Sequence, residues 1–126
     1  MVAVGSESVT AVKQRQGEIS VPGYLDFSVS VMAIDGQATV RVAGDLDCYT
    51  APQLRSALLA LAEDGTRQVT LDLAGTQFVD STGLSVLVGG LKRLREHGGT
   101  MVLKAPTAAT LRLFEITGLH TIFDVA

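Results

Sequence analysis

The chain has 126 residues, 47% of them hydrophobic and 18% charged, with a formal net charge of -3. That length holds one core rather than two, and an acidic balance without a basic run argues against nucleic acid as a partner, because neutralising phosphates needs a basic face. A single cysteine, Cys48, excludes an internal disulfide framework; with no membrane-length apolar run and no signal-peptide centre, a soluble cytoplasmic domain is expected.

Residues 1–22 mix Val, Ser, Gln, Glu and Gly without a sustained period and close on Pro22-Gly23. They read as a flexible N-terminal arm, with a single domain over residues 23–126. From Leu25, alternate residues Leu25, Phe27, Val29 and Val31 can face one side, the period of a half-buried strand. Asp35-Gly36 is a turn signal, and Ala38 to Ala43 reads as the second arm of an antiparallel hairpin. Thr50-Ala51-Pro52-Gln53 has the residues of a helix start, with Thr50 as cap and Gln53 returning the bond. Leu54, Ala57, Leu58 and Leu61 then recur at helical spacing up to Gly65.

A strand follows on Val69, Leu71 and Leu73, and a helix on Leu84, Leu87, Val88, Leu91 and Leu94 that stops at Gly98-Gly99. Met101 to Leu103 is a short strand, Pro106-Thr107 opens a third helix carrying Leu111 and Phe114, Gly118 ends it, and Thr121 to Phe123 is expected to add a last strand. Strand–helix alternation from Ala38 implies an α/β fold: a mixed, mostly parallel sheet of four to five strands with right-handed crossovers.

This topology sorts the polar residues. Strand-to-helix turns share one rim, where helix N-termini point outward and partners usually bind. On that rim lie Gly44 to Thr50, the Asp80-Ser81-Thr82 turn, and Lys104 to Thr107. Ser81 has two readings: a helix N-cap, and an exposed hydroxyl that can accept phosphate. Val79-Asp80-Ser81-Thr82-Gly83 resembles a hydrolase nucleophile elbow, but its first glycine is missing and a serine nucleophile needs a base within reach. His97 lies 16 residues beyond Ser81, about 24 Å along a helix, and His120 falls on the same far rim, so no catalytic residue is assigned. Cys48, His97 and His120 lack metal-ligand spacing, and no Gly-x-x-x-x-Gly-Lys segment exists for ATP; no metal and no cofactor are expected. Gly83, Gly89 and Gly90 are unusual inside a helix, serving either close packing or a low-relief face for a partner helix.

Three stretches carry a family likeness. Gly44-Asp-Leu-Asp-Cys-Tyr-Thr-Ala51 resembles the Gly-Glu-Leu-Asp-x-x-Thr-Ala stretch of bacterial anti-sigma factor antagonists, the STAS domains. Phe78-Val-Asp-Ser-Thr-Gly-Leu84 is similar to their Phe-x-Asp-Ser-Ser-Gly-Leu phosphorylation site, and Leu113-Phe-Glu-Ile-Thr-Gly-Leu119 to the end of their third helix. The resemblance implies a STAS-like fold and a partner switch: the unphosphorylated protein binds an anti-sigma factor that is also a serine kinase and so frees a sigma factor. Phosphorylation by that kinase switches binding off, and a phosphatase restores it. Ser81 matches the phosphorylated serine, with Thr82 a second candidate acceptor. By the same resemblance Asp45, Leu46 and Asp47 belong to the partner surface, joined on the rim by Thr50, Asp80, Ser81, Thr82 and Gly83. Two other readings stay open, a STAS scaffold or ligand-binding module without a switch and, more remotely, a serine hydrolase.

Overall fold

A computed structural model describes residues 14–20 and 27–126. The described residues form one six-stranded sheet whose strands lie in chain order: β1 (Gln14–Ser20), β2 (Ser28–Ile34), β3 (Gln37–Ala43), β4 (Gln68–Gly75), β5 (Thr100–Lys104) and β6 (Asp124–Val125). β1 to β3 are antiparallel neighbours and β3 to β6 parallel ones. Three helices join the parallel strands: α1 (Ala51–Glu63), α2 (Ser81–Glu96) and α3 (Ala108–Thr117). This is the expected mixed, mostly parallel α/β domain with one strand more.

The extra strand is β1, which pairs with β2 from Gln14↔Ile34 to Ser20↔Ser28. The expected arm over residues 1–22 is thus corrected for Gln14–Ser20. Its sequence shows no apolar alternation, because adding a strand to a sheet edge needs only main-chain donors and acceptors. The rest of the expected arm, and Leu25, lie outside the described residues. At the other end the expected strand over Thr121 to Phe123 is displaced. A 3-10 turn occupies Leu119–Thr121, Phe123 is buried beside Phe114 with ring centroids 5.4 Å apart, and pairing with β5 begins only at Asp124.

Period-2 burial makes the sheet one-sided. Val29 and Ala33, Ala38, Val40 and Val42, Val69, Leu71 and Leu73, and Met101 and Leu103 are buried, whereas residues of the opposite parity such as Met32, Arg41, Gln68 and Lys104 are exposed. Each parallel step advances by one strand in the same direction, so right-handed crossovers bring all three helices to the apolar face. Most of the predicted stripes are buried: Leu54, Ala57, Leu58 and Leu61 of α1, Leu84, Leu87, Leu91 and Leu94 of α2, and Phe114 of α3, whereas Val88 is half-buried and Leu111 exposed. Each buried leucine contributes roughly 1.5–3 kcal/mol relative to exposure. The Asp35-Gly36 turn is also as expected, both residues lying at positive φ (52° and 81°) as a two-residue hairpin loop of type I′ demands.

Candidate functional site

The C-terminal ends of the parallel strands form the rim that carries Ser81, and main-chain bonds lace its first two loops together. Leu46 N–H donates to the Phe78 carbonyl (2.9 Å), Asp80 N–H to the Leu46 carbonyl (3.1 Å), and Gly44 N–H to the Gly75 carbonyl (2.9 Å). Leu46 and Val79 thereby make an isolated parallel bridge beyond the ends of β3 and β4. Thr76, fully buried, donates its hydroxyl to the Val42 carbonyl at 3.1 Å and ties the Ser81 loop to β3. The loop before Ser81 is therefore fixed before the helix begins.

That fixing decides which residue caps α2. The bridge holds Val79 in strand geometry, so the first residue free to turn is Asp80, at φ -95° and ψ -174°. Its carboxylate Oδ1 accepts from Gly83 N–H at 2.9 Å, an N-cap bond. The reading of Ser81 as the cap is corrected by one residue: Ser81 is the first residue of α2, its side chain exposed and without a hydrogen-bond partner among the described residues. Thr82 is exposed beside it.

The start of α1 shifts in the same sense. Thr50 has helical dihedrals and makes no cap bond to α1. The reciprocal box lies three residues earlier: Asp47 Oδ1 accepts from Tyr49 and Thr50 N–H (2.9 and 3.1 Å), while Thr50 Oγ1 accepts from Asp47 N–H (2.9 Å) and donates to the Asp45 carbonyl (2.8 Å). Ala51 N–H closes the turn on the Asp47 carbonyl at 2.8 Å. Asp47 takes the cap role because its short acceptor reaches the two N–H groups of the following turn.

Of the residues expected on the partner surface, Asp45, Ser81 and Thr82 are exposed and Asp47 and Asp80 half-buried. The other three are internal. Leu46 is 0% exposed and pegs the first loop into the core; Thr50 is 1% exposed and holds the turn. Gly83 is buried where a Cβ would come within 2.9 Å of both the Leu46 carbonyl oxygen and Val79 Cγ1. These three shape the rim from within, and their neighbours form its exposed surface. Two aromatic residues are exposed on the same rim, Tyr49 (67%) and Phe78 (53%), and of these Phe78 was missing from the expected surface. Alternation was the available signal for Phe78, since a buried Val79 turns its neighbour outward.

His97 caps the far end of α2, and the His120 ring nitrogen lies 3.4 Å from the Phe114 carbonyl oxygen. Neither is placed to activate Ser81. Among the described residues no group of three or more His, Cys, Asp or Glu side chains could hold a metal, and no helix is long and apolar enough to cross a membrane.

Known proteins share this fold. The family described as "Mlab, STAS domain" matches residues 29–124. This chain belongs to the STAS family. Among relatives of this STAS chain is the anti-sigma-B factor antagonist of Bacillus subtilis (strain 168), 37% identical over 102 residues that make up 81% of this chain and 93% of the relative. A crystal structure of an anti-sigma factor antagonist from Mycobacterium paratuberculosis superposes with a TM-score of 0.71 at 31% identity, covering 85% of this chain and 89% of that one. The Bacillus cell fate determinant SpoIIAA in its phosphorylated form shares the fold, with a TM-score of 0.63 at 20% identity over 78% of this STAS chain and 90% of that one.

Proposed function

We propose that this STAS domain is an anti-sigma factor antagonist whose Ser81 is the phosphorylation switch. The observation that carries the reading is the Ser81 hydroxyl: exposed at the first position of α2, and left out of capping because Asp80 fills that role. The names of relatives at 37% and 31% identity supply the class of partner. Unphosphorylated, the rim formed by Asp45, Asp47, Asp80, Ser81 and Thr82 docks an anti-sigma factor serine kinase in the cytoplasm and releases its sigma factor. The kinase then transfers the γ-phosphoryl group of ATP to Ser81, leaving ADP and the phosphoserine, and a phosphatase hydrolyses the ester to return the hydroxyl. The protein is substrate and binding module, with no catalysis of its own.

The physical chemistry of this step favours a change of surface over a change of fold. Phosphate adds about 1.5 to 2 negative charges. It does so at the positive end of a 16-residue helix, where first-turn N–H groups stabilise an anion. Asp80 keeps its bond to Gly83, so the helix start persists while a docking surface built for a neutral hydroxyl acquires a dianion.

The test uses the anti-sigma kinase encoded in the same genome, purified and incubated with ATP and this protein. Mass spectrometry is expected to find phosphate on Ser81 in the wild type and none in Ser81→Ala, and gel filtration a complex with Ser81→Ala that is lost in Ser81→Asp. Phosphate on another residue, or equal complexes with both variants, would overturn the proposal.

A further inference from the structure

Three glycines sit in α2, and two have an internal reason. A Cβ at Gly83 would strike Leu46 and Val79, and one at Gly90 would come within 2.6 Å of Leu58 Cδ1. Gly89 has none: it is exposed, and a Cβ there would meet nothing within 4 Å. Glycine in a helix interior costs about 1 kcal/mol against alanine, so the fold alone gives no account of it.

Gly89 lies in a groove of about 530 Å³ between α1 and α2, whose lining includes Arg55, Leu59, Ser85, Val86 and Lys92. A second depression of about 490 Å³, on the side toward Leu119, shares Ser85, Gly89 and Lys92 and reaches Ser81. The crest of α2 between them is low at Ser85 and Gly89 and carries a long side chain only at Lys92. The charges around it are uneven. Arg93 is occupied by Glu63 (3.6 Å) and Glu96 (3.4 Å) at the far end of the groove. Arg55 on α1 and Lys92 on α2 are exposed and have no carboxylate partner among the described residues. In a chain of net charge -3, this is a cationic, partly apolar channel of low relief.

We propose that the α1–α2 groove docks an acidic amphipathic helix of the anti-sigma partner. Its apolar side faces Leu59 and Val86, its backbone approaches over Gly89, and its carboxylates meet Arg55 and Lys92. The inference rests on the partner-switch reading of Ser81, and it supplies a physical cause for the switch. Thr82 lines the near end of the groove, and Ser81 is about one helical turn from Ser85. A phosphate on Ser81 therefore lies within a Debye length, about 8–10 Å, of an acidic segment seated there. Lys92 stands about 16 Å farther along α2 than Ser81, too far to neutralise that phosphate while it holds the partner.

The test titrates the purified anti-sigma kinase calorimetrically with wild type, the double variant Arg55→Glu/Lys92→Glu, Gly89→Leu and Gly89→Ala. The charge reversal and Gly89→Leu are each expected to weaken binding about tenfold or more, while Gly89→Ala keeps the fold and most of the affinity. Wild-type affinity should fall with added salt, and the double variant should lose that dependence. Variants that melt like wild type and bind like it would overturn the groove proposal and leave the Ser81 switch standing. Should wild type bind no kinase, the switch reading fails and the groove is judged separately. The probe is then a synthetic helical peptide about four turns long, with leucines on one face and glutamates elsewhere, compared with its lysine-for-glutamate counterpart. Amide shifts at Ser85 and Gly89 with the acidic peptide alone support the groove; shifts with both or neither overturn it.

Discussion

Replacing Asp80 by alanine tests the capping of α2. The change removes the acceptor at 2.9 Å from Gly83 N–H and leaves that donor unpaired in a buried residue. Loss of an N-cap costs about 1 kcal/mol, the lost carboxylate at the helix N-terminus about 0.3–1 kcal/mol more, and burial of the orphaned N–H pushes the total toward about 2 kcal/mol. For a domain of this size that lowers Tm by about 8 °C. Asp80→Asn keeps an acceptor and loses only the charge, so its cost is about 0.3–1 kcal/mol. Ser81→Ala removes an exposed hydroxyl with no partner and should stay within about 0.5 kcal/mol of wild type. Urea and thermal unfolding by circular dichroism measure all three. Equal losses for Ser81→Ala and Asp80→Ala would refute the assignment and return the cap to the serine.

The glycines of α2 should separate by their surroundings. Gly89→Ala is expected to raise stability by about 0.5–1 kcal/mol. Gly83→Ala should lower it by about 1–3 kcal/mol, since its methyl meets a carbonyl and a core side chain at 2.9 Å; chemical denaturation distinguishes the signs. Thr50→Val keeps the volume but strands Asp47 N–H and the Asp45 carbonyl, which should cost about 1–3 kcal/mol and speed amide exchange at Asp47. Ser81→Asp should unfold within about 1 kcal/mol of wild type; a collapsed fold there would contradict the placement of Ser81 outside the core.

Local chemistry made several of these elements legible. Asp35-Gly36 specified its turn because few other pairs accept positive φ at two successive positions. Gly118 ends α3 at φ 78° for the same reason, and Thr107, expected with Pro106 to open α3, caps it. The exposure of Ser81 on the rim was readable from the turn between an apolar strand and an apolar helix. The cap was ambiguous by one residue, because Asp80 and Ser81 both belong to the types that cap helices. The choice came from a partner elsewhere in the chain: the Leu46 bridge extends strand geometry to Val79.

The amino-acid sequence by itself determined the succession of elements from β2 to α3 and the rim that gathers Asp45, Asp47, Asp80 and Ser81, since these follow from period and turn residues within a few positions of each other, and three motifs carried the family resemblance. Tertiary structure alone decided that Leu46, Thr50 and Gly83 are internal while Tyr49 faces outward, that β1 joins the sheet, and that Gly89 stands open beside a cationic groove. Burial depends on what packs against a residue from a distant part of the chain, and edge pairing depends on main-chain groups that every residue but proline carries. Neither leaves a mark in the local pattern.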